Sequence, residues 1–165
     1  MPTLAPYAVS ESIRHYKSKY ARAVDTKQWA LFASVLHPSL TASLHNTDGS
    51  TNSFSSRDEY VEFLDKAFAD IASIHVVGAG ELEMLHNEDK NGEDEVAATW
   101  AMSYQLGSAE GARGYTEIGG GHYHEVWKRL DGQWVIASLK LSIAFGRFFE
   151  GPRKGLLHDQ GINGR

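Results

Sequence analysis

From residue 96 onward the apolar positions of this chain recur every second residue, the spacing of a β-strand with one buried face. Val96, Ala98, Trp100, Met102, Tyr104 and Leu106 form one such series. A second pair of alternating runs flanks Asp131-Gly132. Asp-Gly between alternating runs is the strongest short hairpin signal. Ahead of the turn, Gly121, Tyr123, Glu125 and Trp127 share a face; beyond it Val135, Ala137, Leu139, Leu141 and Ile143 do. The first half of the chain keeps a different period. Ile13, Tyr16, Tyr20 and Val24 recur at steps of three and four, the stripe of a helix opened by Ser10 as cap. Asp25 follows on nearly the same face, and Asp25 or Thr26 is placed to cap a second helix carrying Trp29, Phe32, Ala33 and Leu36 that stops before Pro38.

Thr41 to His45 reads as a short strand and Asn46 to Phe54 as a polar loop. Ser56-x-x-Glu59 is a capping box, opening a third helix with Tyr60, Phe63, Leu64, Ala67, Phe68 and Ile71 on one side. Ser73 to Gly80 and Glu81 to His86 follow as strands, then a charged turn over residues 87–95 and a glycine-rich connection over 107–115. Residues 1–9 read as an N-terminal arm and 150–165 as a flexible tail, leaving a single domain with its core at about 10–149. Helices first and antiparallel strands afterwards imply an α+β domain with the helices on one side of a curved sheet.

Composition narrows the function classes. The net charge of −5 lacks the basic stripe that nucleic acid requires. There is no cysteine, which removes disulfides, thiol nucleophiles and cysteine-zinc sites. No apolar run approaches the roughly 20 residues of a membrane helix, and the opening MPTLAPYAVS is no secretory signal, so an intracellular, cytoplasmic location is expected. The candidate chemistry is then limited. Asp25 and His75 are placed to form a carboxylate-imidazole pair, in which the carboxylate fixes the ring's tautomer for proton transfer. Taken singly, each has an ordinary explanation, a solvated helix-end aspartate and a hydrogen-bonded core histidine. His122 and His124 alternate on the other strand face without a third metal ligand at a recognisable spacing, so they read as an oligomer contact. The glycines at 119–121 are followed by no Lys-Ser/Thr pair or helix, so they permit a bend or a close approach and not a phosphate loop.

Three segments, AVDTKQWALFASVLHPSL, IASIHVVGAG and HEVWKRLDGQWVIASLKL, resemble scytalone dehydratase and its SnoaL-like relatives in the nuclear-transport-factor-2-like superfamily. The resemblance implies a cone-shaped barrel, with three N-terminal helices packed on a curved, mostly antiparallel sheet. It also implies a cofactor-free enzyme of secondary metabolism, acting on a small hydrophobic polyketide- or terpenoid-like substrate by dehydration, isomerisation or cyclisation. Asp25 falls on the family's catalytic aspartate and His75 on its paired histidine. Elsewhere the pattern departs: Val24 and Leu44 stand at two tyrosine positions, Leu106 near a second histidine, and Gly121 and Tyr123 at a serine and an asparagine. Tyr123 and Glu125 are expected as further catalytic groups, and Tyr20, Tyr104, Leu139 and Leu141 join Val24, Leu44, Leu106 and Gly121 in binding substrate. A homo-oligomer, dimer or trimer, is expected through the open sheet face. The rival readings are a non-catalytic ligand binder and an oligomerisation module.

Overall fold

A computed structural model describes residues 3–85, 95–108 and 113–152. The charged turn expected at Asn87–Glu95 lies outside them except for Glu95, as do residues 109–112 of the glycine-rich connection and the tail from 153. The order is β1 (Thr3–Leu4), α1 (Tyr7–Asp25), α2 (Trp29–Ser34), β2 (Leu36–His45), β3 (Thr51–Phe54), α3 (Arg57–Ala67), β4 (Ile71–Val77), β5 (Glu81–Leu85), β6 (Glu95–Ser108), β7 (Arg113–Leu130) and β8 (Gln133–Pro152). The strands form one sheet in the order β1-β5-β6-β7-β8-β2-β3, with β4 also on β6. β2 runs parallel to β8, and the other described pairings are antiparallel. The architecture is therefore α+β, with three helices on a mixed, mostly antiparallel sheet. It is not a closed barrel: among the described residues the strand order ends at β1 and β3, and β4 pairs with β6 alone.

The N-terminal arm is shorter than its sequence suggests. Residues 3–4 pair with β5, and α1 already starts at Tyr7 because Pro6 brings a preset φ of −53° to the N-cap. Ser10 lies inside the first turns and donates its hydroxyl to the Ala5 carbonyl. Asp25 is the last residue of α1 and caps nothing; Lys27, at φ 55°, turns the chain before α2 starts at Trp29. β2 runs through Pro38, where its ladder to β8 is interrupted between Leu36 and Thr41 and no donor is needed. The polar loop after His45 closes sooner than expected, since residues 51–54 return as a strand on β2. The third helix starts as read, with the Ser56 hydroxyl accepting from the Glu59 backbone N–H.

The hairpin turns at Asp131-Gly132, both at positive φ (50° and 83°), as a two-residue type I′ turn requires. A register shift at Val126/Trp127 corrects the expected inner face of β8. The extra residue is Ala137, so Ile136 and not Val135 lies opposite Trp127. Beyond that bulge Leu139, Leu141 and Ile143 pair with Glu125, Tyr123 and Gly121 as the alternation implies. A second shift falls at Gly120/Gly121, where a side chain on Gly121 would sit 2.1 Å from the Ser142 carbonyl oxygen. The glycine run thus serves a close backbone approach at a bulge.

β4 and β5 lie end to end along β6, and the chain steps from one to the other through residues 78–80. This step leaves the inner side of β4 facing the C-terminal end of α1. Between helices and sheet lies one core containing Ile13, Phe32, Leu40, Trp100, Trp127, Ile136 and Leu139.

Candidate active site

Asp25 and His75 meet where α1 ends against β4. The His75 Nδ1–H donates to Asp25 Oδ1 at 2.6 Å, and the His75 backbone N–H donates to Oδ2 at 2.9 Å. The Ser73 hydroxyl, two residues back on the same strand face, donates to Oδ1 at 2.8 Å. A carboxylate accepts at both oxygens, so the imidazole proton is placed on Nδ1 and Nε2 is left as the free ring nitrogen. Burial by itself would raise the Asp25 carboxyl. The hydrogen bonds from the His75 ring and backbone, the charge of the ring and the Ser73 hydroxyl together outweigh it and hold the group below its ordinary value of 3.8. The aspartate is therefore an ionised orienting group.

His75 opens into a cavity of about 200 Å³ between the helices and the sheet. Tyr20, Val24, Leu44, Tyr60, Phe63, Leu64, Phe68, Tyr123 and Leu141 line it, with Asn46 and Asn52 from the β2–β3 turn region. Its character is apolar with a few polar groups, as small-molecule sites are. α3 forms one side because its apolar stripe carries Tyr60, Phe63, Leu64, Ala67 and Phe68 towards the cavity.

The expected site residues divide into three groups. His75, Tyr20, Val24, Leu44, Tyr123 and Leu141 line the cavity together. Asp25 stands behind the imidazole, beside a surface groove with Ser73 and Val76. Tyr104, Leu106, Gly121, Leu139 and Glu125 do not line the cavity. Tyr104 lies directly across the ladder from His75 but donates its hydroxyl to Glu117 at 2.7 Å. Leu106 borders a separate shallow depression with Ser73 and Ile74. Leu139 is core, and the space at Gly121 is taken by the β8 backbone.

Glu125 is not available as a second acid. Its side chain is buried against Lys17, whose ammonium donates to Oε1, while the Trp100 and Trp127 indoles donate to Oε2 at 2.7 and 2.9 Å. Burial lowers the Lys17 ammonium from its ordinary value, and the charge and hydrogen bond of Glu125 oppose that. The same ammonium sits 4.1 Å from the Tyr20 ring centre and 3.5 Å from that of Tyr123. Lys17 was legible in the helix pattern: it stands four residues after Ile13 and three before Tyr20, in the middle of the buried stripe. Tyr60, Phe63, Phe68, Asn46 and Asn52 were not expected in the site. The α3 residues carried a periodic signal that any packed helix gives, and the two asparagines carried none.

This helix-and-sheet arrangement is that of the nuclear-transport-factor-2-like superfamily. Within it, the chain belongs to the SnoaL-like domain family, which matches residues 8–140. A relative in Gibberella zeae, named "Probable cyclase FGR4", is 35% identical over 136 residues, covering 78% of this chain and 87% of its own. Among solved structures, a "Putative Scytalone Dehydratase" from Novosphingobium aromaticivorans matches with a TM-score of 0.68 at 13% identity, over 88% of this chain and 93% of that one. A hexachlorocyclohexane dehydrochlorinase (LinA type 2) matches with a TM-score of 0.70 at 14% identity, over 90% and 93%. At such identities the two structures speak for the fold alone.

Proposed function

We propose that this protein is a lyase or isomerase of secondary metabolism, a dehydratase or cyclase in which His75, held by Asp25, moves a proton on a hydrophobic polyketide- or terpenoid-like molecule. The observation that carries the reading is the free Nε2 of an imidazole pinned at Nδ1 and opening into an apolar cavity. In the step, Nε2 takes a proton from a C–H bond and the bonding pair moves into the substrate. In a dehydration that pair expels a hydroxyl group and the ring returns its proton to it as water. In an isomerisation the proton returns to another carbon, and in a cyclisation the new carbanion attacks a carbonyl whose oxygen takes the proton. Each version balances with no other reactant. General acid-base catalysis of this kind supplies about 10²–10⁴-fold, so holding a reactive conformer must supply the rest.

The relative named as a cyclase and the neighbours named as a dehydratase and a dehydrochlorinase are consistent with this range of chemistry. Val24 and Leu44 on the cavity wall favour a substrate with fewer hydroxyl groups than scytalone. An open cavity reaching the imidazole also argues against a purely structural module, whose interior would be filled. The test is turnover of a panel of polyketide and terpenoid intermediates by His75→Ala, Asp25→Asn and the double variant. Each single change should remove most activity and the double little more, because the two groups act as a unit. Additive losses, or an unaffected His75→Ala, would overturn the assignment.

A further inference from the structure

The phenols of the cavity are hydrogen-bonded among themselves, Tyr20 to Tyr60 at 2.8 Å and Tyr123 to Tyr20. Asn46 is engaged as well, its amide donating to the Ser50 hydroxyl at 2.9 Å within the β2–β3 turn. Asn52 differs from all of these. It lines the same cavity and is half-buried, yet its carboxamide has no hydrogen-bond partner among the described residues. A carboxamide carries two N–H donors and an acceptor oxygen. Set beside apolar neighbours in a cavity wall, it is the kind of group that fixes a ligand's orientation.

A strand, not a loop, holds it there. Asn52 stands opposite Leu44 on the β2–β3 ladder, Leu44 opposite Leu141 on β8, and Leu141 opposite Tyr123 on β7. Residues directly opposite share a face, and all four line the cavity, so they form one row across the sheet. Two residues further along β3, the Phe54 ring packs on Tyr60 and Phe63 of α3 at 5.2 and 5.0 Å between ring centres. At the other end of that helix, the Phe68 ring lies 6.0 Å from the His75 ring. From Phe63 to Phe68 the chain advances about 7.5 Å along the helix axis. Asn52 and His75 therefore stand at opposite ends of one apolar space.

We propose that Asn52 is a specificity-determining residue that binds a hydroxyl group at the end of the substrate remote from the carbon that His75 deprotonates. The substrate class is then an apolar-bodied alcohol or phenol, with the recognised hydroxyl and the reacting C–H on opposite sides of that body. The inference rests on the proton-transfer reading of His75 only for which end reacts. A hydroxyl both donates and accepts, so it satisfies either the oxygen or the amide of Asn52. A hydrocarbon in the same place displaces water from the carboxamide and gives no hydrogen bond in return, which selects against it. Leu44 and Leu141, next in the row, take only apolar surface. One hydroxyl at the Asn52 end is thereby favoured, and further hydroxyls along the row are not.

The experiment compares two probes of nearly the same shape, 4-tert-butylphenol and 4-tert-butyltoluene, in binding to the wild type, Asn52→Leu, Asn52→Ala and His75→Ala. The side-chain amide signals of Asn52 are followed by NMR in the wild type. The wild type should prefer the phenol by about tenfold, the worth of one well-placed hydrogen bond, and the phenol should move the Asn52 amide signals further than the hydrocarbon does. Both Asn52 variants should lose the preference while binding the hydrocarbon at least as tightly, which also shows that they are folded. His75→Ala should keep the preference. Equal wild-type affinity for the two probes, Asn52 signals that respond to both alike, a preference that survives in a folded Asn52 variant, or one that vanishes in His75→Ala would overturn the proposal. None of these readouts needs turnover. Their failure leaves the Asp25–His75 mechanism standing, and failure of the kinetic test leaves the Asn52 site standing.

Discussion

Removing one member of the Lys17–Glu125 pair should cost far more than removing both charges. Lys17→Met keeps the length and apolar stem of the side chain but deletes the ammonium. Glu125 then remains as a carboxylate in the interior, with two indole N–H donors and no counter-charge. Breaking a buried pair from one side costs about 3–5 kcal/mol. For a chain of this size roughly 2–4 °C of melting temperature accompanies each kcal/mol, so a fall of about 6–20 °C is expected. Adding Glu125→Gln removes the stranded charge while its amide oxygen can still accept from Trp100 and Trp127. Its NH₂ group, with two N–H donors, then has no partner in place of Lys17, at about 1–3 kcal/mol for the unsatisfied group, so the double variant should regain part of the loss. A double-mutant cycle by urea denaturation at neutral pH measures the coupling, which should exceed about 1.5 kcal/mol. A Lys17→Met variant as stable as the wild type, or additive single losses, would refute the account of Glu125 as a structural carboxylate.

Other outcomes follow from the same geometry. The Asp25 carboxyl is held below its ordinary value of 3.8, so its contribution to stability is present above that pH and is lost as pH falls through the depressed folded value. The stability difference between wild type and Asp25→Asn should therefore be constant above about pH 5 and shrink in acid, as urea midpoints from pH 2 to 7 would report. Gly80 sits at φ +74°, and a β-carbon added there would lie only 2.3 Å from the Trp100 ring, so Gly80→Ala should cost about 2–5 kcal/mol in urea unfolding. EDTA should leave turnover unchanged, since no three or more His, Asp or Glu side chains among the described residues are grouped to hold a metal. His122 and His124 point outward on the open sheet face, as do Ile74 and Val76, so sedimentation should report a dimer or trimer at micromolar concentration; a monomer removes that expectation.

The strand periods and the hairpin were legible because a buried face imposes period two wherever it runs unbroken. The reading of β8 failed at Ala137, where one extra residue reverses the alternation; nothing in a single sequence marks such a bulge. The Asp25–His75 pair was legible through its resemblance to a family, while its Ser73 bond depended on both residues sharing one strand face. Glu125 was misplaced for a physical reason. A carboxylate on an apolar face looks the same from sequence whether it faces a substrate or a buried lysine, and its partner here lies 108 residues away. The Tyr20–Tyr60 contact is equally invisible, since it joins two helices whose angle only the packed structure fixes.

The parallel pairing of β2 with β8 has a consequence for synthesis in the cell. Thr41 must find Ser138, nearly a hundred residues later in the chain, whereas β7 and β8 can zip from their own two-residue turn. At about 5–20 residues per second, the ribosome delivers β8 some 5–20 seconds after β2. During that interval β3 can pair with one side of β2, and the other side stays an unpaired edge with Leu40, Ala42 and Leu44 beside it. An edge of this kind recruits other strands. Yield in a heterologous host should then depend on elongation speed and chaperone supply more than on the stability of the finished fold.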